Sequence, residues 1–470
     1  MQTIKLSNIV IKPNRQRQEF DPVHICELRE SIEKNGLLHP PVLRQEIIDG
    51  TMRMVLVAGE SRLKAITDIF DLDGEFLHDL KIFRDGMVPY SDIGELDELA
   101  AEEAELDENL KRRDLTWQEN ADAHSRLHKL RARQKGAALA KEIADLPPEE
   151  RQAAVAKSKP HTIADTATEL FGRSDGAYQD TVRKEVIVAQ HLSNPAIAKA
   201  KSVDEAFKIL KKEEQRAANI ELAKTVGATF NADCHTLLNQ SCIEYMWDVT
   251  KRQSPDELFD VILTDPPYGM DADSFGDGAG KLSGIEHHYD DSMESWRKLM
   301  TEWTALSYQV CKPQAHAYVF CDFDNFHELK AMMQKAGWYV FRTPIICHKI
   351  NSGRVPLPDQ GPRRQYEIIL YAIKGKKPVT HIYPDVLSAT ADDNMSHGAQ
   401  KPVAVFHNLL QRSIKPGDRV FDGFAGSGTI FEAAHSHQCY AVGCEINPDY
   451  YGMGLRRIQG LKALELPALL

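Results

Sequence analysis

The residues best equipped for chemistry are Asp265-Pro266-Pro267-Tyr268, which follow directly on the apolar run Val261-Ile262-Leu263-Thr264. Two consecutive prolines stiffen the backbone and leave their carbonyls without competing local N–H donors. The result is a rigid loop at the carboxyl end of a buried-type strand, where open α/β sheets bind ligands. Its parts suit one task. An amino group on an aromatic base is a poor nucleophile, because its lone pair is delocalised into the ring. The Asp265 carboxylate and the Pro266 carbonyl can each accept one amino hydrogen, which favours a pyramidal nitrogen able to attack. Tyr268 supplies a ring face for an extruded base. Displacement on a methyl sulfonium then needs no metal and no strong base, only late loss of one amine proton. The bland alternative is a Pro-Pro turn with a capping aspartate.

A second motif weighs against that alternative. Phe421-Asp422-Gly423-Phe424-Ala425-Gly426-Ser427-Gly428-Thr429 lies between a strand and a helix starting near Ile430. Glycines there let the backbone approach a ligand closely at a helix N-terminus. Glu445 closes the next strand, Tyr440-Ala441-Val442-Gly443-Cys444. That is about the 20-residue distance at which an acidic residue binds ribose hydroxyls. The loop lacks the Gly-Lys-Ser/Thr ending of a triphosphate-binding loop, so a nucleoside without phosphates, such as S-adenosylmethionine, fits better.

The second half of the chain supplies elements that can position both motifs. Strand-like runs at Ala228 to Phe230, Phe259 to Leu263, Ala315 to Phe320, Trp338 to Phe341, Glu367 to Tyr371, Arg419 to Phe421 and Cys439 to Gly443 alternate with helical stretches. This pattern predicts an α/β sheet covered on both faces. The first segment reads as small α/β, with a helix capped by Asp21 and ending at Gly36. Strands follow at Pro41 to Arg44 and Met54 to Ala58, then a helix after Gly59. From Leu115 to about Ala218 the pattern is helical. His161 to Leu170, the turn Gly172-Arg173-Ser174-Asp175-Gly176 and Tyr178 to Leu192 outline a helix-turn-helix.

The 470 residues favour two or three domains, and 42% hydrophobic with 27% charged residues is a globular composition. A net charge of -12 leaves room for a local basic face. No run is apolar enough to span a bilayer and the start lacks a secretion signal, so the expected location is cytoplasmic, without membrane. The 8 cysteines show no CxxC spacing and are expected as buried thiols; no metal site is predicted. His287-His288, in the glycine-rich loop from Asp271 to Asp291, reads as part of a solvated loop.

With these residues in place, Gly227 to Leu461 resembles the amino-methylating DNA methyltransferases of the circularly permuted β class, in which DPPY precedes FxGxG. The resemblance implies a seven-stranded Rossmann-like sheet with an antiparallel last hairpin. It implies S-adenosylmethionine as cofactor, and Asp265, Pro266, Pro267 and Tyr268 as catalytic residues. It implies cofactor contacts at Asp233, Lys401 (in Gln400-Lys401-Pro402), Asp422, Phe424, Gly426, Gly428 and Glu445, with Ala232 where the family has glycine. DPPY rather than SPPY points to adenine over the cytosine amino group. Methylation of the cytosine ring carbon is disfavoured, because the chain contains no Pro-Cys dipeptide.

Met1 to about Leu210 resembles the ParB/sulfiredoxin-like domain and its helical DNA-binding part. Pro13 to Arg17, Gly59-Glu60-Ser61-Arg62 and Glu108 to Leu115 fall where ParB has its nucleotide-facing boxes, with Ser61 replacing an arginine. The expected organisation is a ParB-like domain over 1–112, a helical segment with helix-turn-helix over 113–218, and a methyltransferase domain over 219–470. Implied partners are double-stranded DNA, CTP or another nucleotide at the ParB-like domain, and a second copy of the chain. Expected DNA contacts are Arg173 and Arg183 in the helix-turn-helix and Arg354, Arg363 and Arg364 in the catalytic half. The rival readings are an N4-cytosine methyltransferase, and a nucleotide-gated DNA-binding adaptor with an accessory methylase half.

Overall fold

The computed structural model describes residues 2–12, 22–72, 86–95, 115–232, 234–269, 292–350, 361–363, 365–390 and 401–461, with a few further positions between 99 and 110. The chain divides into two compact units, Met1–Lys212 and Glu213–Leu470, and the division falls within the helix Val203–Val226.

In the first unit, β1 (Gln2–Lys5), β2 (Ile9–Val10), β3 (Val42–Ile48), β4 (Thr51–Ala58) and β5 (Met87–Glu95) form one sheet in the order β1-β5-β3-β4-β2. Asp49 and Gly50 join β3 to β4 with φ of 51° and 72°, the left-handed pair that suits a two-residue hairpin turn. Helices Pro22–Asn35 and Glu60–Leu72 bury Ile25, Ile32, Leu63, Ile66 and Ile69 against Leu43 and Leu56. A helical part follows. Helix Trp117–Ala144 starts at a reciprocal cap between Thr116 and Glu119. Trp117 packs beside the cluster of Val188, Ile197 and Leu210, and its indole N–H donates to the Ala200 carbonyl at 2.9 Å. Helix Ile163–Phe171 ends on left-handed Gly172, and Gly176–Val188 begins at Asp175, whose side chain accepts from the N–H groups of Ala177 and Tyr178.

The second unit holds β6 (Thr229–Ala232), β7 (His235–Leu238), β8 (Phe259–Thr264), β9 (Cys311–Cys321), β10 (Tyr339–Val340), β11 (Ile345–Lys349), β12 (Tyr366–Lys374), β13 (Val386–Ala389), β14 (Arg419–Asp422) and β15 (Tyr440–Cys444). Their order is β13-β11-β12-β9-β8-β14-β15-β7-β6, with β10 on β12. Strands β9, β8, β14, β15 and β7 are parallel neighbours, and β12 and β11 add an antiparallel hairpin. Seven strands with an antiparallel hairpin is what the resemblance implied, although β7 and β11 were not among the strand-like runs and β6 and β10 were; with β6, β10 and β13 the sheet has ten strands. Helices cover both faces. Val261 and Leu263 join one core with the helices Val403–Gln411, Thr429–Ser436 and Pro448–Gln459. Ile262 faces the other, with Cys242–Arg252, Met293–Gln309 and Phe326–Ala336. Burial on both faces explains why β8 reads as an unbroken apolar run rather than an alternation. Seven of the eight cysteines are buried, and no disulfide links any of them.

Candidate active site

The two motifs leave the carboxyl ends of adjacent strands. β8 and β14 pair in parallel with Val261 opposite Val420 and Ile262 opposite Phe421, so the Asp265 loop and the Gly423–Gly428 loop start side by side. Thr264 ties them together: its hydroxyl donates to Asp422 Oδ1 at 2.6 Å. The Phe424 N–H donates to the same oxygen at 3.0 Å. Asp422 is 2% exposed, and burial pushes its carboxyl up to about 7, against the pull of those hydrogen bonds. The Oδ1 of Asp422, a residue expected on the cofactor, joins one loop to the other.

In the first loop, both oxygens of Asp265 are engaged. The Tyr268 hydroxyl donates to Oδ1 at 2.8 Å, and the Lys401 ammonium lies 2.8 Å from Oδ2. Lys401 is also 3.5 Å from Glu367, which Lys349 approaches at 2.5 Å. Burial raises the Asp265 carboxyl above the ordinary carboxylate range, with Lys401 pulling the other way. Burial alone would lower the Lys401 ammonium, but Asp265 and Glu367 outweigh it and hold it charged. Burial would raise Glu367, and the two lysines overcome that and keep it ionised. The Tyr268 phenol is driven well above its usual range by burial and by Asp265, so it stays a donor. The Tyr268 carbonyl accepts from Asn325 Nδ2 at 2.5 Å, which anchors the far end of the loop to the segment after β9.

The ammonium of Lys401, a residue expected at the cofactor, stands 5.5 Å from the Tyr268 ring centre and 5.2 Å from that of Phe320, while its carbonyl accepts from the Thr429 hydroxyl at 3.4 Å. Phe320 is buried as packing, and Phe323, two residues beyond β9, is 57% exposed.

The second loop turns through left-handed Gly426 and Gly428, with φ of 53° and 80°. A Cβ on Gly428 would also lie 3.1 Å from the Gly454 Cα. The Gly426 N–H donates to Glu445 Oε2 at 2.9 Å and the Asn447 N–H to Oε1 at 2.7 Å. Glu445 thus stands at the end of β15 directly beside the glycine loop, and burial lifts its carboxyl to about 7. Phe424 is partly buried against the core on the face of Trp303.

Lys349, Glu367, Thr264 and Asn325 were not singled out in the sequence, because nothing in their local spacing marks them; only strand pairing brings them here. Arg363 is exposed ahead of β12, and Arg173 and Arg183 are exposed on the helix-turn-helix. The Arg173 guanidinium donates to the Tyr178 hydroxyl and sits 4.5 Å above that ring, while Arg183 pairs with Asp180 at 3.5 Å. Asp233, Arg354, Arg364, His287 and His288 lie outside the described residues, as do Pro13 to Arg17 and Arg112. Arg62 donates to the carbonyls of His39 and Pro40, at 3.2 and 3.4 Å. Among the described residues no helix is long and apolar enough to cross a membrane.

Parts of the chain are similar to known proteins. The DNA methylase family matches residues 259–395 and 380–455, and the ParB N-terminal domain matches residues 1–70. The type II methyltransferase M.HinfI of Haemophilus influenzae is 22% identical over 258 residues, 48% of this chain and 69% of that protein. M2.DpnII of Streptococcus pneumoniae, also a type II methyltransferase, is 22% identical over 228 residues, covering 43% and 83%. The crystal structure of the M1.HpyAVI–SAM complex aligns with 47% of this chain and 99% of its own, at 20% identity and a TM-score of 0.37. The chain thus carries a DNA methylase region over residues 259–455 and, ahead of it, a ParB N-terminal region over residues 1–70.

Proposed function

We propose that this protein transfers a methyl group from S-adenosylmethionine to the exocyclic N6 amino group of adenine in double-stranded DNA. The reading is carried by one observation: the Asp265–Tyr268 loop and the Gly423–Gly428 loop leave neighbouring parallel strands and are joined by the Thr264–Asp422 hydrogen bond. That adjacency lets a methyl donor on one loop meet a base on the other.

In this reading Asp265 and the Pro266 carbonyl each accept one hydrogen of the target amine, and Tyr268 stacks on the flipped base. The amine takes over a lone pair of a carboxylate already held at both oxygens, so little reorganisation is required during reaction. Phe424, Gly426 and Gly428 shape the pocket for the donor, and Glu445 accepts from its ribose hydroxyls. Lys401 is a positioning residue that fixes Asp265 and keeps it ionised. Arg363, with Arg354 and Arg364, contacts DNA from the catalytic half of the chain, and Arg173 and Arg183 contact phosphates from the helix-turn-helix. Adenine is preferred to cytosine because the catalytic loop reads DPPY rather than SPPY.

The test is methyl transfer from labelled donor to unmethylated DNA, followed by digestion to nucleosides and mass spectrometry. N6-methyladenine is expected. N4-methylcytosine would replace the base assignment, and undiminished activity in Asp265→Ala would remove the roles given to the loop.

A further inference from the structure

The sequence shows no metal-ligand spacing, yet the fold gathers three ligating side chains away from the DPPY loop. Cys234 lies in the tight turn between β6 and β7, and His235 is the first residue of β7. His435 lies near the carboxyl end of the helix Thr429–Ser436. One ligating atom from each, a sulfur and two imidazole nitrogens, all fall within 4.8 Å of one another.

The approach of the two rings is the sharpest part of that geometry. His235 Nε2 and His435 Nδ1 are 3.2 Å apart. That is close to the edge, about 3.4 Å, of a tetrahedron with metal–nitrogen bonds of about 2.0–2.1 Å. His235 is 3% exposed, and its Nε2 and the Nδ1 of His435 share one hydrogen bond, so a cation between them would take the place of the proton they share. His435 is only partly buried, which leaves an entry path.

We propose that Cys234, His235 and His435 bind one zinc-class divalent cation. The two nitrogens and one thiolate suit a borderline metal in a tetrahedral site, with water in the fourth position. Binding releases the Cys234 thiol proton to solvent. The cation is a staple: it clips the β6–β7 hairpin to the far end of the helix whose first turn is the cofactor loop. Its role is therefore to hold that helix, not to take part in methyl transfer.

The experiment uses the full chain without an affinity tag, stripped with chelator and titrated with cobalt(II). Expected are one equivalent bound, tetrahedral d–d bands and a thiolate-to-cobalt charge-transfer band, all displaced by zinc. Cys234→Ser should lose the charge-transfer band, and His435→Gln should weaken binding by about tenfold or more. Zinc should raise the Tm of the parent protein and of neither variant. Sub-stoichiometric binding, absence of the charge-transfer band, or its survival in Cys234→Ser would overturn the proposal. If Cys234→Ser does not fold, His435→Gln, at a partly exposed position, decides alone. None of these readouts depends on methyltransferase activity.

Discussion

Lys401 and Asp265 form an ion pair, Nζ to Oδ2 at 2.8 Å, in which the cation comes from the segment preceding the glycine loop and the anion from the DPPY loop. With the Tyr268 hydroxyl on the other oxygen, the carboxylate is fixed before any substrate arrives. The pair also couples the segment leading into the cofactor loop to the catalytic one, since the Lys401 carbonyl accepts from Thr429 at the start of the cofactor helix. A clamp built this way works by position rather than by basicity.

The first prediction concerns that clamp. Replacing Asp265 by alanine removes one acceptor for the amine and leaves Lys401 with only Glu367 as counter-charge. Single-turnover methylation should fall by about 10²–10³-fold, the usual cost of one preorganised polar contact to the reacting group. Binding of S-adenosylmethionine, measured by calorimetry, should be unchanged. A loss confined to cofactor affinity would move Asp265 out of the chemical step.

Lys401 provides a sharper test through pH. The Asp265 carboxyl is already raised by burial, and Lys401 is the largest influence pulling it down, while Glu367 pushes it up. In Lys401→Met that restraint disappears, and burial and Glu367 raise the carboxyl further against the Tyr268 hydrogen bond. Accepting an amine hydrogen requires the ionised carboxylate, so the acid limb of the pH–rate profile should move to higher pH. Glu367→Gln in the same background should move it part of the way back. An acid limb unmoved by Lys401→Met would show that the pair does not govern Asp265.

Both motifs and their order were legible in the chain, because each combines unusual residues with a neighbouring apolar run. The α/β class was legible for the same reason: β8 carries the apolar run Val261–Leu263 and β14 the pair Val420–Phe421, each flanked by helical stretches. What the sequence concealed is long-range pairing. Strands β7, β11 and β13 were missed, each being only four or five residues long, and His235 and Lys349 interrupt the apolar signal of two of them. The Lys349–Glu367–Lys401 array depends on β11 pairing with β12, which no local pattern announces. Asp422 adds a tie of the same kind: its motif suggested ligand contact, and the pairing of β8 with β14 also sets its Oδ1 against the Thr264 hydroxyl.

Glu445 should make cofactor binding proton-linked. Burial sets its carboxyl at about 7 in the cofactor-free protein, well above the ordinary 4.5. Ribose hydroxyls donating to it favour the ionised form, so binding near neutral pH should release protons and affinity should weaken as pH falls below about 7. Calorimetry in buffers of different ionisation enthalpy reads the release directly, and Glu445→Gln should abolish it. For the cofactor-free fold the sign is reversed. A raised folded pKa, here for both Glu445 and Asp422, gives stability that is fully present below the unfolded value and lost as pH rises towards about 7. Saturating cofactor should flatten that slope.

The helix-turn-helix yields the last prediction, on DNA affinity rather than catalysis. Arg173 and Arg183 are exposed and held by local partners, Tyr178 and Asp180, which orient the guanidinium groups without neutralising a buried site. If each contacts one phosphate, Arg173→Ala and Arg183→Ala should each weaken DNA binding and reduce the slope of log K against log salt by about 0.9. Melting temperature should hardly change, since an ion pair this exposed contributes little to stability. Methylation at saturating DNA should keep its single-turnover rate, because neither residue lies in the catalytic unit. A salt slope identical to that of the parent protein in both variants would place the DNA contact of the first unit elsewhere than on the turn and the helix Gly176–Val188.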